Sequence, residues 1–380
     1  MRRWTSVFLA TILVPTLHSQ TPLFTTSSTF VGTGSGQVVL TDINLDGRID
    51  MITRHLLEHR VRTFWGDGRG GFSPASGGDV DLAYPPGRIV VADFNRDRRP
   101  DLVVSRSDRD AVDVFLGDAG GAFNRVANSP FTASASTESF TRDLDVVDVN
   151  EDGNVDLVTS HGRRNTLSVL LGDGTGGFTA AAPIELGIDN GGLHFVDFAD
   201  MDGDGHADII VAHTGPDAEF GPGGVVVLGG DGSGTFRNAR RIAAGSIPDP
   251  PHNLTVADIN GDGRLDIVVA HANRISILSS ADGKLETVYG SPFNVGNDVY
   301  GVAAGDMNGD GNTDLVAATI DSVTLLLADG RTLRPADGSP YRAGPGAYKV
   351  TVGDVNGDGK PDVAASAFEG TTVTLLLSTR

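Results

Sequence analysis

Short apolar runs of strand length alternate with clusters of Gly, Asp and Asn along almost the whole chain. One stretch shows the pattern: "RIVVAD" leads into "DFNRDRRPD", and "DLVVS" and "VDVFLGD" follow. Runs of this length, rich in Val, Ile and Leu and bounded by turn formers, read as β-strands. No stretch sustains the apolar spacing of an amphipathic helix, so an all-β chain is expected.

The pattern is periodic. The acidic nonapeptide recurs as "DINLDGRID" from Asp42, "DFNRDRRPD" from Asp93, "DVNEDGNVD" from Asp148, "DMDGDGHAD" from Asp200, "DINGDGRLD" from Asp258, "DMNGDGNTD" from Asp306 and "DVNGDGKPD" from Asp354. A β-rich run precedes each copy, and runs such as "DIVVA" and "VTLLLAD" follow it. A glycine turn such as "GDGTGGF" then leads into a fourth run. Each repeat is therefore a four-stranded antiparallel meander, with strands A to D and the acidic loop between A and B. Meanders repeated at about 50 residues predict a seven-bladed β-propeller. The copies at "LSSADGKLETV" and "LADGRTLRPAD" lack the full glycine hairpin, so the C–D turns of blades 5 and 6 should differ. The seventh copy stops at its strand C, "TVTLLLSTR". The run from Leu23 to Val31 has the composition of the missing strand D, so it should close the ring within a single domain, 21–380, and remove an open sheet edge.

The loop pattern D-x-[DN]-x-D-G-x-x-D places oxygen donors at positions 1, 3, 5 and 9 and a backbone carbonyl at position 7. Such a set suits a hard cation, calcium above zinc or copper. The expected ligands are Asp42, Asn44, Asp46, Arg48 (carbonyl) and Asp50 in the first loop, and Asp93, Asn95, Asp97 and Asp101 in the second. They are Asp148, Asn150, Asp152, Asn154 and Asp156 in the third, and Asp200, Asp202, Asp204, His206 and Asp208 in the fourth. The fifth offers Asp258, Asn260, Asp262, Arg264 and Asp266, the sixth Asp306, Asn308, Asp310, Asn312 and Asp314. The seventh offers Asp354, Asn356, Asp358, Lys360 and Asp362. Six or seven Ca²⁺ ions are expected. The second loop is the weak one: Arg98 stands where a glycine turn is wanted, and Arg96 and Arg99 add positive charge. An arginine should neutralise Asp93, Asp97 or Asp101 there. Acidic turn chemistry without a metal is the plainer account of one loop, but it explains seven in register poorly.

Composition then narrows the function. The net charge is −20, and the loop aspartates account for it; a chain this acidic is a poor nucleic-acid binder. The 51 glycines fit the many turns, and the absence of cysteine excludes disulfides and thiol chemistry. Residues 1–20, "MRRWTSVFLATILVPTLHSQ", carry a basic start and a short apolar run in the layout of a secretory signal, so the mature chain is expected outside the cytoplasm, without a membrane span and as a monomer.

Two further registers hold candidate chemistry on the face away from the acidic loops. Five residues after each final loop Asp stand His55, Arg106, His161, His213, His271, Thr319 and Ala367. Six before each first loop Asp stand Gly36, Gly87, Arg142, His194, His252, Tyr300 and Tyr348. The plainer account is that a strand end takes a polar residue; the sharper one is a basic pocket with an aromatic rim, for a glycan or a protein carboxylate.

The repeated "D-x-N-x-D-G-x-x-D-L-V-V" core and the "V-L-L-G-D-G-x-G-x-F" hairpin resemble the FG-GAP/VCBS repeats, the family that includes the integrin α-subunit N-terminal propeller. The resemblance covers essentially the whole chain after the leader. It implies a seven-bladed propeller with calcium in the A–B loops and a role in extracellular binding or adhesion. The expected partner is an extracellular glycan or protein. The alternative is a polysaccharide lyase in which His194, His252, Tyr300, Arg106 and Arg142 supply acid, base and carboxylate neutralisation, although no compact catalytic signature accompanies them.

Overall fold

The computed structural model describes residues 23–133, 140–161, 165–186, 192–214, 223–234, 236, 241–281, 284–288, 290–330 and 332–379. The secretory leader expected at 1–20 and the middle of the long B–C segment of blade 4 lie outside the described residues. Among the described residues every regular element is a β-strand.

The strands form seven antiparallel sheets, one per repeat. Blade 1 shows the plan: strand A is Ser35–Thr41, B is Asp50–His55, C is Arg60–Gly66, and D is split into Phe72–Pro74 and Val80–Asp81, both paired with C. The split recurs in blades 2, 3, 5 and 6. Where it does, a side chain can take over the missing ladder bond: Val114, Ile277 and Leu325 N–H donate to the hydroxyls of Ser129, Ser291 and Ser339 at 2.9, 2.7 and 2.9 Å. The C–D turns of blades 5 and 6 are shorter than that of blade 1, so the difference expected there is present.

The ring closes as the sequence indicates. Phe24–Phe30 pairs with Thr372–Ser378 in continuous register from Phe24↔Ser378 to Phe30↔Thr372, and so completes blade 7. Phe24 is buried and packs edge-on against Tyr341 of blade 6 at 5.7 Å.

The seven hydrophobic clusters lie between blades, not within them. Strands B and C are covered on both sides, so successive residues serve opposite seams: Leu102 and Val104 pack toward blade 1, Val103 toward blade 3. This explains why these strands read as unbroken apolar runs and not as alternating ones. The second residue of the acidic loops also points inward; Ile43, Phe94, Val149, Ile259, Met307 and Val355 are buried, and Met201 of the fourth loop is half-buried.

Strand A of each blade is innermost. Ser35–Thr41, Pro86–Ala92, Thr141–Val147, Leu193–Ala199, Pro251–Ala257, Val299–Gly305 and Ala347–Gly353 neighbour one another around the axis. They enclose a channel of about 450 Å³. Each runs from the face bearing the B–C and D–A connections to the face bearing the acidic loops. Pairing between A and B is irregular near the start of every strand A, and the register six residues before each first loop Asp falls in that irregular step.

Candidate functional site

The acidic loops share one geometry. In the seventh, Asp354 accepts hydrogen bonds from Asp358 N–H at 3.1 Å and Gly359 N–H at 2.8 Å, Asn356 Oδ1 accepts from Asp358 N–H at 2.9 Å, and Asp358 accepts from Lys360 N–H at 2.9 Å. The side chains at positions 1, 3 and 5 are thus folded over one turn, with Asn356 Nδ2 also donating to the second oxygen of Asp358 at 3.3 Å. In the fourth loop the carboxylate oxygens of Asp200, Asp202 and Asp208 lie within 4.8 Å of one another, a spacing that one Ca²⁺ can bridge.

The Asp at position 9 has a second role that spacing alone does not reveal. It is buried in every loop. Asp362 Oδ2 accepts from Val355 N–H at 3.0 Å and its Oδ1 from Ser378 N–H at 2.7 Å. Asp50, Asp101, Asp156, Asp208 and Asp314 make the same two bonds to the loop and to the end of strand C. This carboxylate therefore pins loop to sheet. Burial, and after it the neighbouring loop carboxylates, push Asp101, Asp156 and Asp314 up to about 6.

The second loop behaves as its arginines require. Arg98 adopts φ +66°, left-handed backbone for a non-glycine residue, and Arg99 Nη1 sits 3.1 Å from Asp97 Oδ2. Arg96 leaves its own loop and donates to the carbonyl of Asp152 in blade 3 at 3.0 Å. The first loop departs in a way the sequence reading does not anticipate: Arg48 folds back onto the Asp46 carboxylate and holds its pKa down.

On the opposite face the two candidate registers separate. The register at the end of strand B does not form a ligand-facing arc. His55, His161 and His271 are fully buried. His55 Nδ1 donates to Thr33 O at 2.9 Å, His161 Nε2 meets Ser168 Oγ at 2.8 Å, and His271 lies between Asp249 at 3.1 Å and Ser276 at 2.7 Å. His213, half-buried, donates to the carbonyl of Thr214 at 3.0 Å. Thr319 Oγ1 lies 2.7 Å from Ser322 Oγ. Arg106 stacks 3.6 Å over the Tyr84 ring and pairs with Asp108 and Asp113 at 2.8 and 3.2 Å. The reason is the position of strand B: as a central strand it has a neighbouring blade on each side, so its last residue closes a hairpin instead of meeting solvent. Arg106 is accordingly tied into blade 2 and is no part of the acid–base set considered for a lyase.

The register at the start of strand A does converge, around the channel mouth. Arg142 Nη2 lies 3.5 Å from His194 Nδ1. His252 stacks on Tyr300 at 5.2 Å with 12° between planes, Tyr300 on Tyr348 at 5.7 Å, and Tyr348 leans on Phe368 at 5.9 Å. His252 Nδ1 donates to Val299 O at 2.8 Å, which fixes the ring. Burial, then the Arg142 cation, pushes His194 down to about 4, so its imidazole is neutral at physiological pH. At Gly36, the first member, the Arg54 guanidinium of strand B takes the space of a side chain: a Cβ there would sit 2.1 Å from Arg54 Nη2.

One position further along each strand A, sequence reasoning missed a second ring: Gln37, Arg88, Asp143, Phe195, Asn253, Gly301 and Lys349. Several members fasten one blade to the next. Gln37 exchanges two bonds with the Ile89 backbone at 2.8 and 3.0 Å, Asp143 accepts from Val196 N–H at 3.2 Å, and Asn253 accepts from Val302 N–H at 2.9 Å. Arg88 Nε lies 3.3 Å from Asp143 Oδ1. Lys349 is the exception. It is 7% exposed, its Nζ has no hydrogen-bond partner, and it lies 4.6 Å from the Phe195 ring centre and 5.7 Å from that of Tyr348. Together with Arg54, Arg88 and Arg142 it lines a recess of about 180 Å³ at the mouth. Burial, and after it the Arg88 cation, pushes Lys349 well down, and burial brings Arg54 down to about 10.

Deeper in the channel Asp145 and Asp197 share a hydrogen bond. Burial first, then the partner carboxylate, pushes Asp145 up to about 7. A carboxyl whose folded pKa is raised stabilises the fold least when it is charged, so stability should fall as pH rises from the unfolded value near 4 through 7. Asp145→Asn is therefore expected to melt several degrees above the parent at pH 8 and together with it at pH 4; melting curves at the two pH values check this, and equal shifts at both would refute it.

Residues 42–104, 94–159, 148–211, 218–269, 258–317 and 306–365 each match the FG-GAP-like repeat. No curated protein matches the chain. Among solved structures, BBS1N, crystallised in complex with ARL6DN, superposes with a TM-score of 0.62 at 13% identity, covering 94% of this chain and 98% of that one. Sqt1 of Saccharomyces cerevisiae gives 0.59 at 11% identity, over 90% of this chain and 84% of that one. An Agrocybe aegerita lectin described as recognising non-reducing terminal N-acetylglucosamine gives 0.56 at 17% identity, over 91% and 86%. At these identities the likeness is one of fold.

Proposed function

Because this chain belongs to the FG-GAP-like repeat family over most of its length, we propose that it is a secreted, calcium-stiffened binding module whose ligand, an extracellular glycan or protein, sits on the channel mouth opposite the acidic loops. The carrying observation is the convergence of Arg142, His194, His252, Tyr300 and Tyr348 from five blades onto that mouth. Aromatic and cationic side chains that converge on a concave opening are what a binding site needs, and the rigid ring holds them in place. Calcium supports the reading from the other face: the oxygen-only loops, best filled in blade 4 by Asp200, Asp202 and Asp208, would hold it and tie A to B in each blade. Proteins of similar fold include one crystallised with a protein partner and a lectin that recognises a sugar, so this architecture serves either class.

The test is a glycan array and an extracellular-protein pull-down with the parent chain and Tyr300→Ala. Tyr300 is half-exposed, so its loss should leave the melting temperature nearly unchanged while ligand capture falls at least tenfold. Capture that is indifferent to Tyr300→Ala would place the ligand elsewhere on the propeller.

A further inference from the structure

We propose that the recess at the channel mouth is an anion site that takes the carboxylate of a sugar acid, a uronate residue. This rests on the reading of the mouth as a binding surface. Lys349 carries the argument. The other polar side chains of its ring are paired across a blade seam, whereas the Lys349 ammonium is buried against the rings of Phe195 and Tyr348 with no hydrogen-bond partner. A lone buried ammonium is costly unless something compensates it, and its lowered pKa records that cost. Three guanidinium groups, those of Arg54, Arg88 and Arg142, surround the same recess; the carboxylate that lines it, Asp143, is already used by Arg88 and Val196, and deeper in the channel Asp145 and Asp197 are hydrogen-bonded to each other. In a chain of net charge −20 this is a concentrated positive pocket, and it is aimed inward.

The chemistry selects the ligand. The recess presents N–H donors in quantity and almost no free acceptor, so it fits a group rich in acceptors. A carboxylate can take the Lys349 ammonium on one oxygen and a guanidinium on the other, with charge-assisted bonds on both. A peptide terminus brings backbone N–H groups, for which the recess offers few acceptors, the unpaired Thr141 hydroxyl among them. A sugar ring carries hydroxyls that both give and accept and apolar faces that pack on aromatic rings, and Tyr348, which lines the recess, stacks on Tyr300. The recess, about 180 Å³, suits one such residue and not a longer segment.

The experiment is isothermal titration of the full chain, calcium present, with glucuronate, glucose, sodium sulfate and a short peptide ending in Glu. Glucuronate should bind best, and added salt should weaken it. Lys349→Met should weaken glucuronate at least tenfold while the unliganded protein melts no lower, because an unpaired buried charge has been removed. Arg142→Gln, at an exposed site, should weaken it several-fold without changing the fold. Equal binding of glucose, equal binding of sulfate, tighter binding of the peptide, or indifference to Lys349→Met would each overturn the proposal. If neutral glycans bind in a Tyr300-dependent way, the mouth remains the site and the anion proposal alone falls. If no ligand depends on either Tyr300 or Lys349, both fall.

Discussion

A chain shortened to begin at Gly32 should lose its cooperative melting transition or shift it down by well over ten degrees, and should aggregate on concentration. The removed strand, Phe24–Phe30, covers the whole length of Thr372–Ser378. Without it blade 7 ends in an open, apolar edge, the arrangement most prone to pairing with another chain. Phe24 and Val31 are both buried, and losing two such side chains removes roughly 3–6 kcal/mol of burial alone. That is a large part of the net stability of a folded domain, about 5–15 kcal/mol. Calorimetry and size-exclusion chromatography of the shortened chain, with and without a synthetic peptide of residues 23–31, check this. Rescue by the peptide is expected; an unchanged melting curve in the shortened chain would refute the closure.

Chelation should lower the melting temperature by ten degrees or more. Each site that binds calcium only in the folded state adds about 2.7 kcal/mol when the ion stands a hundredfold above its dissociation constant, and the loops are seven. The loops should not contribute equally. Asp358→Ala is expected to cost far more than Asp97→Ala, because Asp97 is already neutralised by Arg99 and its turn carries Arg98 in left-handed backbone. Arg48 on Asp46 places the first loop between these extremes. Calorimetric scans in excess calcium and in chelator, on the parent and both variants, read the difference. A melting temperature indifferent to chelator would remove calcium from the account.

The all-β fold, the blade count, the ring closure and the altered turns of blades 5 and 6 are legible in the sequence because each rests on the period. A repeat fixes which residues are equivalent, and equivalence fixes topology. The mouth is half legible. Tyr300, Tyr348, His252, His194 and Arg142 follow from counting back from the loops, since every strand A is innermost. Lys349 does not follow, because ordinary strand alternation would send neighbouring residues to opposite sides, and only the irregular step at the start of strand A brings both positions to the rim. The misplaced histidines have a similar cause. A polar residue at a strand end looks solvent-facing in sequence, yet His55, His161 and His271 end a strand that is covered on both sides. Nor can spacing reveal that the last Asp of six of the loops also accepts from two backbone N–H groups, because its partner at the end of strand C, such as Ser378 for Asp362, lies a full hairpin away.

The ring's one non-covalent joint lies inside blade 7, where the first described strand meets the last. Lys349 stands on the side of that joint built from the end of the chain, and Arg54 on the side built from its beginning. Both face the same recess. An anion held between them would act as a hasp across the two ends of the polypeptide, so that occupancy of the mouth and integrity of the circle become one equilibrium.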